Sequence, residues 1–422
     1  MRAEVPDRDV FEHPRLRAIE PQWIQHAGKP MLLLRDPLRL TDGTLALPQQ
    51  VAVLLSLFDG ARDLNAIRSV FALRTGLRLR PSELEGLLRQ LDDALVLDGP
   101  RYRQAYASAL AAYRSAPERP PAMAGRVYPA DPAALAGQLD AWLAEPRQSH
   151  LSAPTGNDSA LIRGVICPHI DFARGAPVYA DVWRHAGEAV READTIVIFG
   201  TDHHGRAGSV TPTRQRYATP RGALPTDLQT VDAIAAAIGE DAAFEQELNH
   251  RDEHAIELAV AWIQHLLDGQ QTPLVPLLVG SFSPFTHGEW DAGSFVPFQQ
   301  ALAALEMATA GRRVLVVAAA DFAHVGPAFG DPRPLTIADK EAIADFDSSL
   351  LAAICAGSAG EFLAPQVAQG DASRVCGLPP IYLTLRYLGG CRGEVTAYDQ
   401  CPADADFGSL VSVAGVLLRS GV

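Results

Sequence analysis

Three apolar runs in this chain each stop at residues that can bind a metal or move a proton. Residues 161–167 (LIRGVIC) run into Pro168-His169-Ile170-Asp171. Residues 195–200 (TIVIFG) run into Thr201-Asp202-His203-His204, and residues 313–320 (RVLVVAAA) into Asp321-Phe322-Ala323-His324. Histidine is a common neutral metal ligand, and imidazoles beside carboxylates suit iron, zinc or copper. Lewis-acid, redox or acid-base chemistry is therefore open to these residues. No glycine-rich nucleotide loop, nucleophile elbow or kinase signature occurs, so phosphoryl transfer and serine hydrolysis find no support.

Such residues act together only if the fold delivers them to one place. Short continuous runs rich in Val and Ile read as strands buried on both faces, and residues 274–280 form a fourth. Helical patterns fall at 131–143, 176–190, 227–238, 253–267, 298–310, 337–356 and 379–388. The alternation predicts an α/β fold, with a mainly parallel or mixed central sheet flanked by helices. In such sheets ligands bind beyond the carboxyl ends of the strands, which puts the three polar strand ends on one rim. Neighbouring residues leaving a strand point to opposite sides, so only one of His203 and His204 should enter the crevice.

Several ordered segments carry a family resemblance. They are AGRVYPADPAALAGQLDAWL (124–143), PHIDFARG (168–175), the His203-His204 pair, YATPRGALPTD (217–227), DEHAIEL (252–258), DFAHVG (321–326), CGLPPIYLTL (376–385) and LVSVAGVLL (410–418). From about residue 124 onward the chain resembles the Memo family, also called AmmeMemoRadiSam system protein B, which is similar in fold to class III extradiol ring-cleaving dioxygenases. The resemblance implies His169 as the first metal ligand and His204 as the second, with His203 facing the core. It places a cysteine or carboxylate where this chain has Ala323, so either Asp321 or His324 turns inward to complete the set, or metal binding is weak or lost. It makes His254 the acid-base residue, with Asp321 counted beside it as catalytic.

Around that centre, Arg174, Tyr217, Asp252 and Glu257 are candidate substrate-binding residues, with the 217–222 loop lying over the pocket. His254 and Glu257 are three apart at a helix start, a spacing that lets them share a face. Cys376 and Gly377 open a helix and read as structural, since a buried apolar thiol is the commoner case. The implied function is a metal-dependent oxidoreductase of extradiol type acting on a small molecule or modified peptide. The alternative is a peptide- or anion-binding scaffold that keeps the pocket, and Ala323 favours it. The resemblance also implies a radical SAM enzyme as partner; this chain has no CxxxCxxC motif of its own.

The 422 residues suit two domains. Residues 1–115 read as a small winged-helix α+β module: a ribbon over 23–47 with a hairpin signal at Asp42-Gly43, helices at 48–58, 64–74 and 81–94, and a wing at 95–102. Residues 20–102 resemble PqqD-like modules that recognise peptides. The Pro-rich stretch 116–123 is expected to be a stiff linker, and 148–160 a polar flexible loop. Net charge is -14, nearly balanced in the first module, so the acidic excess falls on the large domain and argues against nucleic-acid binding there. Five scattered cysteines without a CxxC suggest neither a disulfide framework nor a zinc-thiolate cage. With no signal-peptide core and no membrane-length apolar run, a cytoplasmic location is expected.

Overall fold

The computed structural model describes residues 11–41, 45–145 and 161–420. The hairpin signal at Asp42-Gly43 and the polar stretch 148–160 lie outside them. The chain forms two compact units, Met1–Ser115 and Ala116–Val422.

In the first unit β1 (Glu20–His26), β2 (Lys29–Arg35) and β3 (Leu45–Pro48) form an antiparallel sheet in that order. Ala27 and Gly28 turn the β1-β2 hairpin with positive φ at both, as a right-twisted two-residue hairpin requires. Helices Gln49–Leu55, Leu64–Thr75 and Pro81–Asp93 bury Leu54, Ile67, Phe71, Leu84, Leu88 and Leu91 against Leu32 and Leu34 of the sheet. The wing expected over 95–102 does not form. Leu97 makes only a single bridge to Leu16, and a 16-residue helix, Pro100–Ser115, begins inside the proposed wing. Proline at the first helical position has no N–H to lose, which makes Pro100 a helix start rather than a strand residue.

The second unit contains β4 (Ile162–Cys167), β5 (Thr195–Thr201), β6 (Val210–Pro212), β7 (Tyr217–Thr219), β8 (Gly222–Leu224), β9 (Leu274–Val279), β10 (Val314–Ala319), β11 (His324–Val325), β12 (Arg392–Pro402) and β13 (Leu410–Arg419). The main sheet runs β11-β13-β4-β10-β5-β9-β6, with β12 on β13. Strands β4, β10, β5 and β9 are parallel, while β13, β11, β12 and β6 pair antiparallel, so the sheet is mixed. Its two faces explain the unbroken apolar runs. Val197 and Phe199 of β5 enter one core while Ile196 and Ile198 enter the other. β10 divides likewise, with Val316 and Ala318 on one side and Leu315 and Val317 on the other. Helices Pro132–Ala144, Phe172–Glu192 and Ala255–Leu267 cover one face, and Leu228–Ile238, Val296–Ala308, Ile337–Cys355, Ala359–Gln369 and Leu378–Leu388 the other.

The Pro-rich stretch is not a free linker beyond its first residues. Arg119 is fully buried, and the backbone N–H groups of Ala122 and Met123 donate to the buried carboxylate of Glu257 at 2.9 and 2.8 Å. Composition alone reads 116–123 as solvated; the buried guanidinium gives it a reason to pack.

One buried acid in this core titrates in an accessible range. Asp347 is fully buried, accepts from Tyr398 Oη at 2.8 Å, and has one oxygen, Oδ1, without a hydrogen-bond partner. Burial pushes its carboxyl up to about 6, against hydrogen bonds from Ser412 and Tyr398 that pull it down. The folded protein thus keeps a proton that the unfolded chain, with an ordinary value of 3.8, releases, so this group costs stability as pH rises from about 4 through about 6. Asp347→Asn removes that titration. Its unfolding free energy should gain on wild type by on the order of 2 kcal/mol between pH 4 and pH 7.5. Urea unfolding at both pH values checks this, and a difference that does not change with pH refutes it.

Candidate functional site

The site is assembled at the carboxyl ends of three adjacent strands. β10 lies between β4 and β5, so His169 after β4 and His203 after β5 arrive on either side of Asp321 after β10. Two helix starts then close on these strand ends at positions where only glycine fits. A Cβ on Gly200 would lie 2.6 Å from Ile256 Cγ1, which lets the turn carrying Glu253 and His254 sit beside β5. A Cβ on Gly377 would lie 2.5 Å from the Asp321 carbonyl oxygen and 2.6 Å from Ala320 Cβ, which brings Cys376 onto the end of β10.

His169 is buried. Its Nδ1 lies 2.9 Å from the Ala319 carbonyl, a contact that puts the proton on Nδ1 and turns Nε2 inward. Nε2 then lies 3.1 Å from Cys376 Sγ and 3.7 Å from Asp321 Oδ2. Asp321 is itself fixed, accepting the backbone N–H groups of His169 at 2.8 Å and Ile170 at 3.2 Å through Oδ1.

Glu253 orders the other side. Its buried Oε2 accepts from His203 Nδ1 at 2.9 Å and from the His203 backbone at 3.0 Å. Its Oε1 lies 2.9 Å from His254 Nδ1 and accepts the backbone N–H groups of His254 at 2.7 Å and Ala255 at 3.1 Å. The His203 and His254 rings stack with centroids 4.8 Å apart, and both meet His169 edge-on at 5.1 and 5.3 Å. Donor atoms of His169, His203 and His254 lie within 4.8 Å of one another, as do those of His169, Asp321 and Cys376. His169 belongs to both groups.

The charges respond to this packing. Burial alone would lower His169 and His203. The carboxylate of Asp321 and the Cys376 sulfur instead raise His169 to about 9, and Glu253 holds His203 well above its ordinary value. Burial would raise Glu253 and Cys376, yet the imidazoles of His203 and His254 hold Glu253 well down, and His169 and His324 do the same for the Cys376 thiol. Asp202 beneath the cluster is pushed up to about 6 by burial and by Glu253, although Asn249 Nδ2 donates to both its oxygens at 3.0 and 2.9 Å.

Several sequence expectations are corrected by this geometry. His203, not His204, joins His169. Asp202 accepts the His204 backbone N–H at 3.1 Å; both residues of the pair are exposed, and Glu253 holds the His203 ring against His169. Ala323 is buried, its N–H donating to Ser412 Oγ at 2.9 Å and its carbonyl accepting the Ser412 N–H at 3.0 Å, and the thiol near the centre comes from Cys376 instead. His324 begins β11, with Nδ1 3.1 Å from the Phe322 carbonyl and its ring edge-on to Phe329, and it joins neither donor group.

Tyr217 is fully buried in the β7-β8 ribbon, its Oη 2.6 Å from His250 Nδ1, rather than on a loop over the pocket. Glu257 is fully buried against Arg119 and Tyr128 and belongs to neither donor group. Arg174 pairs with Asp171 and donates to the Pro402 carbonyl at 3.2 Å, and Asp252 pairs with Arg251 at 2.8 Å, so both are engaged outside the donor groups. Glu253 was missed although it sits inside the DEHAIEL segment, and the glycine following Cys376 was the one sequence sign of close approach there.

The donors fit a metal ion. Each of the three imidazole Nδ1 atoms is taken by a carbonyl or carboxylate, leaving each Nε2 for coordination, and a carboxylate behind a histidine is the usual outer partner of a metal-bound imidazole. An α/β protein with a histidine-rich, thiol-bearing centre at its strand ends is the class so defined. Residues 119–417 match the family model described as Memo-like protein, and the chain belongs to that family. A MEMO1 family protein of Aquifex aeolicus is 26% identical over 302 residues, covering 71% of this chain and 73% of its own length. One of Methanopyrus kandleri is 25% identical over 311 residues, covering 72% of this chain and 100% of its own. One of Methanosarcina acetivorans is 27% identical over 260 residues, 61% of this chain and 85% of its own. No helix among the described residues is long and apolar enough to cross a membrane.

Proposed function

We propose that the second unit holds one first-row transition metal, iron, zinc or copper, and carries out oxidoreductase chemistry of extradiol type on a small molecule or modified peptide. The observation that supports this best is Glu253, one buried carboxylate engaging the Nδ1 atoms of both His203 and His254 while each Nε2 is left toward His169. His169, His203 and His254 would hold the ion, which when bound would supply Lewis-acid or redox chemistry. The chain's own residues do the rest. Glu253 fixes two rings, Ala319 fixes the third, and Asp321 and Cys376 bring negative charge to the inner side of His169. His203 and His254 keep about a third of their side-chain surface exposed while His169 keeps 2%, so a substrate would approach from the side of the stacked pair. A peptide partner for the first unit rests on its PqqD-like resemblance and balanced charge.

The test is metal content of untagged protein after reconstitution with Fe²⁺, Zn²⁺ or Cu⁺. Wild type and His204→Ala should each retain close to one equivalent, and His203→Ala should lose at least nine-tenths of it. Loss in His204→Ala with retention in His203→Ala would overturn the donor assignment. A wild type that holds no metal would leave the non-catalytic peptide or anion scaffold, and metal without oxygen uptake in the presence of catechols would remove the extradiol part alone.

A further inference from the structure

The strongest unassigned feature is a charged residue of the Pro-rich stretch, buried beneath the site. Arg119 has no exposed surface, and its guanidinium lies over the Tyr217 ring at 5.0 Å. Burying a guanidinium is unfavourable unless its donors are met, and here they are directed at one turn. Nε donates to the His250 carbonyl at 2.7 Å and Nη2 to the Glu253 carbonyl at 2.8 Å. Nη1 reaches the Pro120 carbonyl at 3.1 Å and pairs with Glu257. Glu257 also receives Tyr128 Oη and the backbone of Ala122 and Met123, which ties the 119–128 segment to the helix that follows His254.

We propose that Arg119 is a positioning residue for the histidine cluster: by gripping the carbonyls of His250 and Glu253 it sets where the Glu253 carboxylate stands, and through it the His203 and His254 rings. The proposal rests on the metal-centre reading for its effect on affinity, but not for its effect on the turn. Two rigid, divergent donors on one planar group are what spans two carbonyls three residues apart. A lysine ammonium in the same pocket keeps the charge for Glu257 and loses that fork. The bonds to the carbonyls, rather than the ion pair, therefore carry the positioning.

Two measurements test this on the full chain. The first is hydrogen exchange on metal-free protein. The amides of His203, His254 and Ala255 all donate to Glu253, and in Arg119→Lys they should exchange at least tenfold faster while β4 and β10 are unchanged. The second is Co²⁺ affinity. Arg119→Lys should weaken it by about 10- to 100-fold, the range for partners that orient metal-bound histidines, and should add no further loss in a Glu253→Gln background.

Unchanged exchange at the three amides overturns the proposal whatever cobalt does, and so does a cobalt loss that simply adds to that of Glu253→Gln, the mark of a general stabilising role. If wild type binds no Co²⁺ while the exchange result holds, the metal reading fails and the positioning role stands. Should Arg119→Lys not fold, Arg119→Gln takes its place, because its single amide nitrogen cannot reach both carbonyls. Faster exchange at the same amides supports the proposal, and unchanged exchange overturns it.

Discussion

In metal-free protein, Cys376 is expected to react with iodoacetamide at a rate that changes little from pH 6 to pH 9, and His169→Ala is expected to turn that flat profile into a steep one with at least a tenfold loss at pH 7. The thiolate is the nucleophile, so the profile reports how much of it exists at each pH. Burial opposes ionisation of Cys376, and the neighbouring imidazoles of His169 and His324, together with hydrogen bonds from His169 and His203, overcome it. His169 supplies the nearest contact, 3.1 Å from Sγ, and its own value of about 9 keeps it mostly protonated beside the sulfur until the top of this range. Removing it leaves burial with less to oppose it, so the thiol rises toward or above its ordinary 9.0. The other four cysteines provide the internal control, because burial raises every one of them. Peptide mapping after timed alkylation separates the sites. Matching profiles for Cys376 in wild type and variant would mean that His169 does not hold the thiolate.

Glu253→Gln is expected to cost about 3 to 5 kcal/mol of stability, the range for breaking one side of a buried charge pair, and to weaken metal binding by about 10- to 100-fold. Both carboxylate oxygens accept, Oε2 from two groups of His203 and Oε1 from two backbone amides beside His254. An amide in that place turns one accepting oxygen into a donor facing donors. The pH dependence follows from two opposite shifts. Glu253 is held well below 4.5, so its contribution is complete above that value and is lost as pH falls through its folded pKa. His203 is held well above 6.5, so its contribution is complete below that value and is lost as pH rises toward its folded pKa. The stability gap between wild type and Glu253→Gln should therefore be widest between about 4.5 and 6.5 and narrow on both sides. Chemical unfolding of the metal-free proteins at pH 3.5, 5.5 and 8.5 checks this, and a gap that grows steadily with pH would contradict the ion pair.

The sequence by itself determined the parts of this protein that depend on local pattern. Unbroken Val- and Ile-rich runs marked β4, β5, β9 and β10, because a strand covered by helices on both faces tolerates polar residues only at its ends. For the same reason His169 and Asp321 were placed correctly on the strand-end rim: each is the polar residue where an apolar run stops. The family segments, spread in order along the second unit, fixed its membership before any coordinate was known.

Tertiary structure alone decided which polar residues face one another. Alternation along the chain says that one of His203 and His204 points inward, but not which. The choice was made by Asp202 bending the turn and by Glu253, fifty positions away, accepting from His203. Cys376 looked like any small buried thiol, and became part of the centre because Gly377 lets a helix start touch the end of β10. Glu257 read as a substrate-binding candidate and Arg119 as a linker residue, yet they form a pair with no exposed side-chain surface. Burial and partners of a charged side chain are set by chain segments more than a hundred residues apart, and local sequence carries no record of such contacts.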